Sequence, residues 1–159
     1  MIIPDRYKSI LDSHSQEVPV KLGLLARELG LEVFKSTLKP DKSGLIEPSD
    51  HAPSGYRIKI NRHEMVERQR FTLAHEIAHF LLHRQDIGGG VVDDVLYRSG
   101  LSDRKEVEAN KLASRIIMPD SSVRLAQAKL SHLPLDEQII ELSKLFRVSH
   151  PAMRIKLGV

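Results

Sequence analysis

The sequence predicts an α+β fold with a small antiparallel sheet of about three strands, one long buried helix and a helical C-terminal lobe. Residues 31–60 carry short alternating segments broken by Pro, Gly, Asp and Ser, the pattern of strands and turns. Residues 67–84 contain neither Gly nor Pro and are apolar most of the way round a helix. Beyond Pro119 only shorter helical patterns remain.

Along the chain, residues before about Val18 show no clear pattern and are expected to be an arm or a disordered lead. Leu22, Leu24, Leu25, Ala26 and Leu29 mark a short amphipathic helix, and Gly30 suits the left-handed position after its end. Strands are expected at Leu31 to Lys35, Leu45 to Glu47 and Tyr56 to Ile60. The last, extended to Asn61, is either an internal strand or the sheet edge, where an extended peptide could add as a further strand. The buried helix follows, with apolar residues at 71, 73, 74, 77, 78, 80, 81 and 82. Gly88-Gly89-Gly90 and Val91-Val92-Asp93-Asp94 read as loop. Ser102 or Asp103 can cap a second helix that Pro119 stops. Two or three short helices then follow, separated near His132-Leu133-Pro134 and Ser149-His150-Pro151.

A chain of 159 residues is one ordinary domain's worth, so 1–159 is expected to be a single unit, with a core over about 18–119 and a helical lobe over 120–159. Hydrophobic residues make up 41% and charged residues 28%, which favours neither a disordered nor a membrane class. No run approaches the ~18 apolar residues of a membrane span, and the N-terminus has no leader pattern. A cytoplasmic address is the expectation. The absence of cysteine excludes a disulfide scaffold, a thiol nucleophile and every thiolate metal site. The net charge of +3 comes from scattered basic residues, so direct nucleic-acid binding is not expected.

The chemistry lies in His75-Glu76-Ile77-Ala78-His79, an H-E-x-x-H run on the buried helix. Residues four apart differ by ~40° in rotation and ~6 Å in rise, so both imidazoles leave one face and can converge on one ion. Glu76, rotated ~100° from His75, lies at the flank of that ion, where it can take a proton from an attacking water. Zinc is the expected metal, although two nitrogens and a carboxylate suit manganese or iron as well. Read blandly, the two histidines would be satisfied core residues, a poor account of a pair on one face of an apolar helix.

A catalytic ion needs a third protein ligand and one open position. Position 82 is Leu and position 85 is Gln, so the third histidine of longer zinc motifs is missing. Glu106 and Glu108 on the second helix compete for the role. Glu106 shares a face with Asn110, Ala113 and Ile117, whereas Glu108 shares one with Lys111, Leu112 and Arg115, so Glu106 points inward. Ala109 and Ala113 would let this helix approach Ala74 and Ala78 closely. The competing role for Glu106 is a capping box with Asp103. Asn110 can accept a hydrogen bond from the free ring nitrogen of a ligating histidine, or make an ordinary interhelical bond.

Arg68-Gln69-Arg70-Phe71-Thr72-Leu73-Ala74-His75-Glu76-Ile77-Ala78-His79-Phe80, with Glu106-Val107-Glu108-Ala109-Asn110-Lys111-Leu112-Ala113 and Ile117-Met118-Pro119, closely resembles the ImmA/IrrE family of metallopeptidases. The likeness extends to Gly55 through Asn61 and to Leu145 through Ser149, most of the chain beyond about residue 18. It implies a zincin-like core with the first Glu of the E-x-E-A-N segment, here Glu106, as third ligand. It also implies an endopeptidase whose protein substrate is a helix-turn-helix repressor of a phage, mobile element or stress response, cleaved to relieve repression. No added repressor or sensor domain accompanies these motifs, so any activating input is expected from a partner or from metal supply.

Weaker signals surround these. His83, one turn beyond His79, is expected to be structural or to touch substrate rather than to ligate. Tyr97 and Arg98 are expected to be plain loop residues, although an oxyanion donor there would be useful. The helices bracketing Arg147-Val148-Ser149 resemble a helix-turn-helix, which raises the alternative of a DNA-binding or partner-binding regulator. The second of those helices would span only about His150 to Leu157, with Arg154 and Lys156 as its main basic residues.

Overall fold

The computed structural model describes residues 2–159 and is of mixed α and β composition. Its elements are α1 (Asp5–His14), α2 (Leu22–Glu28), β1 (Glu32–Ser36), β2 (Lys42–Pro48), β3 (Tyr56–Asn61), α3 (Val66–His83), β4 (Val91–Asp94), α4 (Asp103–Ile117), α5 (Asp120–Lys129), α6 (Leu135–Phe146) and α7 (His150–Leu157). A short 3-10 turn, Arg84–Asp86, extends α3.

The sheet has four strands rather than about three, in the order β1-β3-β2-β4. It is mixed rather than antiparallel throughout: β2 runs antiparallel to β3 and β4, but β1 runs parallel to β3, with Val33 beside Ile58. β3 is therefore an interior strand, and the edge role considered for Tyr56 to Asn61 falls to β1 and β4. Alternation reports which face a side chain takes and says nothing of which strand lies alongside.

α3 lies across β2 and β3 and packs lengthwise on α4. Ile46 and Ile58 from the sheet meet a core that includes Ile77 and Phe80 of α3, all fully buried. The entry to α3 is clamped by Gln69, whose Nε2 donates to the carbonyls of Arg62 and Glu64, both at 3.0 Å. Gly30, at φ 82, ends α2 in the left-handed region as its sequence position predicts. Ser102 caps α4 by accepting from the Lys105 amide, so Glu106 is free of a capping box.

The N-terminal lead is neither arm nor disordered. α1 docks on the core through Tyr7, whose ring meets Phe80 edge-on at 5.6 Å and whose hydroxyl accepts from Arg84 at 3.2 Å. Burying such a ring stabilises the docked helix by about 1.5–3 kcal/mol. Among the described residues no helix is long and apolar enough to cross a membrane.

Candidate metal centre

His75 and His79 leave the same face of α3 and are fully buried, their rings 4.5 Å apart and nearly perpendicular. Each ring is held from behind. His75 Nδ1 donates to Asn110 Oδ1 at 2.9 Å, and His79 Nδ1 lies 3.0 Å from His83 Nδ1, which can accept its proton. Placing the protons on Nδ1 leaves both Nε2 lone pairs facing inward, the arrangement in which an outer hydrogen bond orients a ligating imidazole. Asn110 thus stands behind the His75 ring, and His83, itself buried, stands behind that of His79.

Two carboxylates face those nitrogens. Glu106, 4% exposed, spans them: Oε2 is 3.3 Å from His75 Nε2 and Oε1 is 2.9 Å from His79 Nε2. The second carboxylate is Asp93, on the segment expected to be a loop. β4 pairs with the far edge of β2, which turns Val91 and Asp93 inward and leaves Val92 exposed. Asp93 Oδ1 is 3.2 Å from His75 Nε2, and its Oδ2 is 3.6 Å from His79 Nε2. The one available signal was that a carboxylate two residues after Val91 shares its face. The candidate ligand atoms of His75, Glu76, His79 and Asp93 lie within 4.8 Å of one another. Glu108 points away, 3.8 Å from the outer nitrogen of His83, as its helix face predicts.

Both oxygens of Glu76, Oδ2 of Asp93, Oε2 of Glu106 and Nε2 of His79 are buried without a hydrogen-bond partner. His79 Nε2 is close to Glu106 Oε1 yet lacks the alignment of a hydrogen bond, so nitrogen and oxygens converge on a common space rather than on one another. Unpaired buried groups of this kind each cost about 1–3 kcal/mol, and a divalent cation would satisfy them together. The residues present therefore fit a metal ion bound by nitrogen and oxygen.

The electrostatics point the same way. Burial disfavours the His75 imidazolium, but the Asp93 and Glu106 carboxylates outweigh it and raise the group to about 9. His79 is raised by the same two carboxylates, against burial and the neighbouring His75 charge. Burial pushes Asp93 upward, yet the neighbouring His75 and His79 imidazoles prevail and hold it well below the usual carboxylate range. Glu76 is raised well above an ordinary glutamate, first by burial and then by the charges of Asp93 and Glu106.

The segment after β4 covers the centre. Tyr97, at φ 55, lays its ring 4.9 Å from that of His75, and Ser99 Oγ donates to Glu106 Oε1 at 3.1 Å. The Tyr97 hydroxyl pairs with Thr72 Oγ1 at 3.1 Å, and burial raises its pKa, so it remains protonated. Tyr97 is thus more than the plain loop residue expected; Arg98 is exposed and, among the described residues, pairs only with Asp94, at 3.6 Å.

A family model for the IrrE N-terminal-like domain, peptidase family M78, matches residues 26–157. Comparison with curated proteins found no match. The matched span contains both helices of the centre together with β4.

Proposed function

Because the chain belongs to the IrrE N-terminal-like family of peptidases, we propose that it is a zinc-dependent endopeptidase that cleaves a helix-turn-helix repressor and so relieves repression. Family membership and the His-Glu-His-Asp group support the coarser reading of a metallopeptidase. The observation that carries the mechanism is the pair of imidazoles turned towards shared carboxylates beside an unpaired, fully buried Glu76.

His75, His79 and Glu106 would hold the ion, with Asp93 a further carboxylate facing the same space. Bound zinc supplies a Lewis acid that polarises the scissile carbonyl and eases deprotonation of water. Glu76 takes the proton of the attacking water and returns it to the leaving amine. Burial gives its carboxylate a raised proton affinity, and that contribution persists when a cation offsets the charges of Asp93 and Glu106. Asn110 and His83 keep the two rings in the tautomer that presents Nε2. Manganese or iron would meet the same donor set, so metal analysis belongs in the test.

The repressor substrate rests on the family resemblance, and a cytoplasmic setting remains the expectation drawn from the sequence. For the DNA-binding alternative, the basic residues of α7 are already engaged: Arg154 pairs with Asp136 at 3.2 Å and Lys156 with Asp120. They offer little free charge to a phosphate backbone. The deciding experiment measures metal content and cleavage of a candidate repressor by wild type, His79→Ala and Glu76→Gln. His79→Ala should lose zinc, whereas Glu76→Gln should retain it and lose about 100-fold or more in rate. Full activity in Glu76→Gln would remove the assigned base.

A further inference from the structure

Beside the centre lies a groove of about 1290 Å³ that no part of the mechanism uses. Its walls are the start of α3, the outer face of α4 and the α6–α7 turn. Tyr97 and Asn110 line it, and each touches His75 on its other side, so the groove begins one side chain from the centre. Its volume exceeds the ~300–1,000 Å³ of a typical small-molecule pocket and suits several residues of a polypeptide.

The lining is of two kinds. Met65, Phe71, Val107 and Ile155 supply apolar surface, and Met65 and Ile155 are 76% and 80% exposed with nothing covering them. Around them stand Arg68, Lys111, Arg115, Lys144, Arg147 and Lys156, against Glu67 as the one lining carboxylate. Lys144 and Lys156 have acidic neighbours in Glu141 and Asp120, and Arg68 lies 3.6 Å from Glu64. Lys111, Arg115 and Arg147 have no ion-pair partner among the described residues. Arg147 also stands near Arg70, whose proton affinity is lowered first by burial and then by the Arg147 charge.

We infer that this groove docks the protein substrate through an amphipathic segment that presents apolar side chains together with carboxylates, next to the bond to be cut. The inference rests on the peptidase reading for the identity of the occupant. Apolar side chains would cover Met65, Phe71, Val107 and Ile155, and carboxylates would pair with Lys111, Arg115 and Arg147. A nucleic acid would match the charge but would leave the apolar patch against a hydrated backbone.

The test uses the zinc-loaded Glu76→Gln protein, in which binding is read without cleavage. The probes are a fluorescein-labelled amphipathic peptide of leucine and glutamate, its leucine–lysine counterpart, and labelled duplex DNA. Fluorescence anisotropy should show the acidic peptide binding best, with about a tenfold weaker Kd for K111E/R147E and a fall as salt rises. Both positions are solvent-facing, and an unchanged melting temperature confirms that the doubly reversed protein is folded. Equal binding of the lysine peptide, an unchanged Kd in K111E/R147E, or tighter binding of duplex DNA that the same variant abolishes would each overturn the docking assignment. Charge-dependent acidic-peptide binding by a protein whose Glu76 form cleaves nothing would leave the groove standing and count against the peptidase reading alone. Cleavage without that binding would do the reverse.

Discussion

Replacing Gly44 by alanine tests how closely the sheet approaches α3. Gly44 lies on β2 opposite Ile60 of β3, and a Cβ there would stand 2.6 Å from Thr72 Cγ2 and 3.0 Å from the Lys59 carbonyl oxygen. Ordinary carbon contacts begin at about 3.5 Å, so the Thr72 methyl must retreat by roughly an ångström. It has little freedom to do so. Its side chain is β-branched on a helix, and Oγ1 is held by the Tyr97 hydroxyl. The Lys59 carbonyl belongs to the neighbouring strand and cannot yield alone. The strain must be taken up by lifting α3 from the sheet, an overpacking cost of about 1–3 kcal/mol. Thr72→Ser removes the obstructing methyl and keeps the hydroxyl, so the double variant should recover at least about 1 kcal/mol of that loss. Urea unfolding of wild type, Gly44→Ala, Thr72→Ser and the double variant, all metal-free, measures these terms. Because Glu76 lies one turn beyond Thr72, with Oε2 3.7 Å from the added methyl, peptidase activity should fall in Gly44→Ala and partly return in the double variant. An unchanged unfolding midpoint for Gly44→Ala, or no rescue by Thr72→Ser, would refute the close approach.

Two further outcomes follow from the centre. Asn110→Ala removes the acceptor behind His75 and should weaken zinc binding by about 10–100-fold in competition with a chelator; equal affinity would mean that this bond does not set the ring. In the metal-free protein His75 titrates at about 9, above the ordinary 6.5, so its ion pairs contribute stability that is full below pH 6.5 and is lost as pH rises through about 9. A ligating imidazole must be neutral, so zinc affinity should rise across that same window, with about one proton or more released per zinc at neutral pH. Calorimetry in buffers of differing ionisation enthalpy reads that number directly, and zero release or net uptake would contradict the assigned environment.

The parts of the centre visible in the sequence are those set by a helix's own rotation. His75 and His79 share a face because they are four apart, and Glu106 rather than Glu108 turns inward for the same reason. Asp93 was hidden because its place depends on β4 pairing with β2, a contact between distant parts of the chain. β4 is also only four residues long, contains two aspartates and follows three glycines, all of which weaken a strand signal. The parallel pairing of β1 with β3 was invisible because alternation carries no information about neighbours. α1 did leave a trace. Ile3, Tyr7, Ile10 and His14 fall at helical spacing, but the segment is short and polar residues dominate the rest of its surface. Tyr97 acquires its position from a left-handed backbone that tyrosine seldom adopts, so nothing in its residue type announced it.

The seam between α3 and α4 has a consequence for how this molecule can vary. Ala74 and Ala78 on one side and Ala109 and Ala113 on the other are all fully buried, so no long side chain is present to take up slack by changing rotamer. Main chain sets the gap, and the gap sets how far Glu106 stands from the imidazoles. Leucines and isoleucines elsewhere can exchange volume with their neighbours and leave the chain folded, but one added methylene here would be felt first as a loosened grip on the cation. Damage at this seam would therefore leave a protein that is still folded and soluble in the test tube but poorly metallated, whereas damage in the remote core would lower stability before it altered metal content.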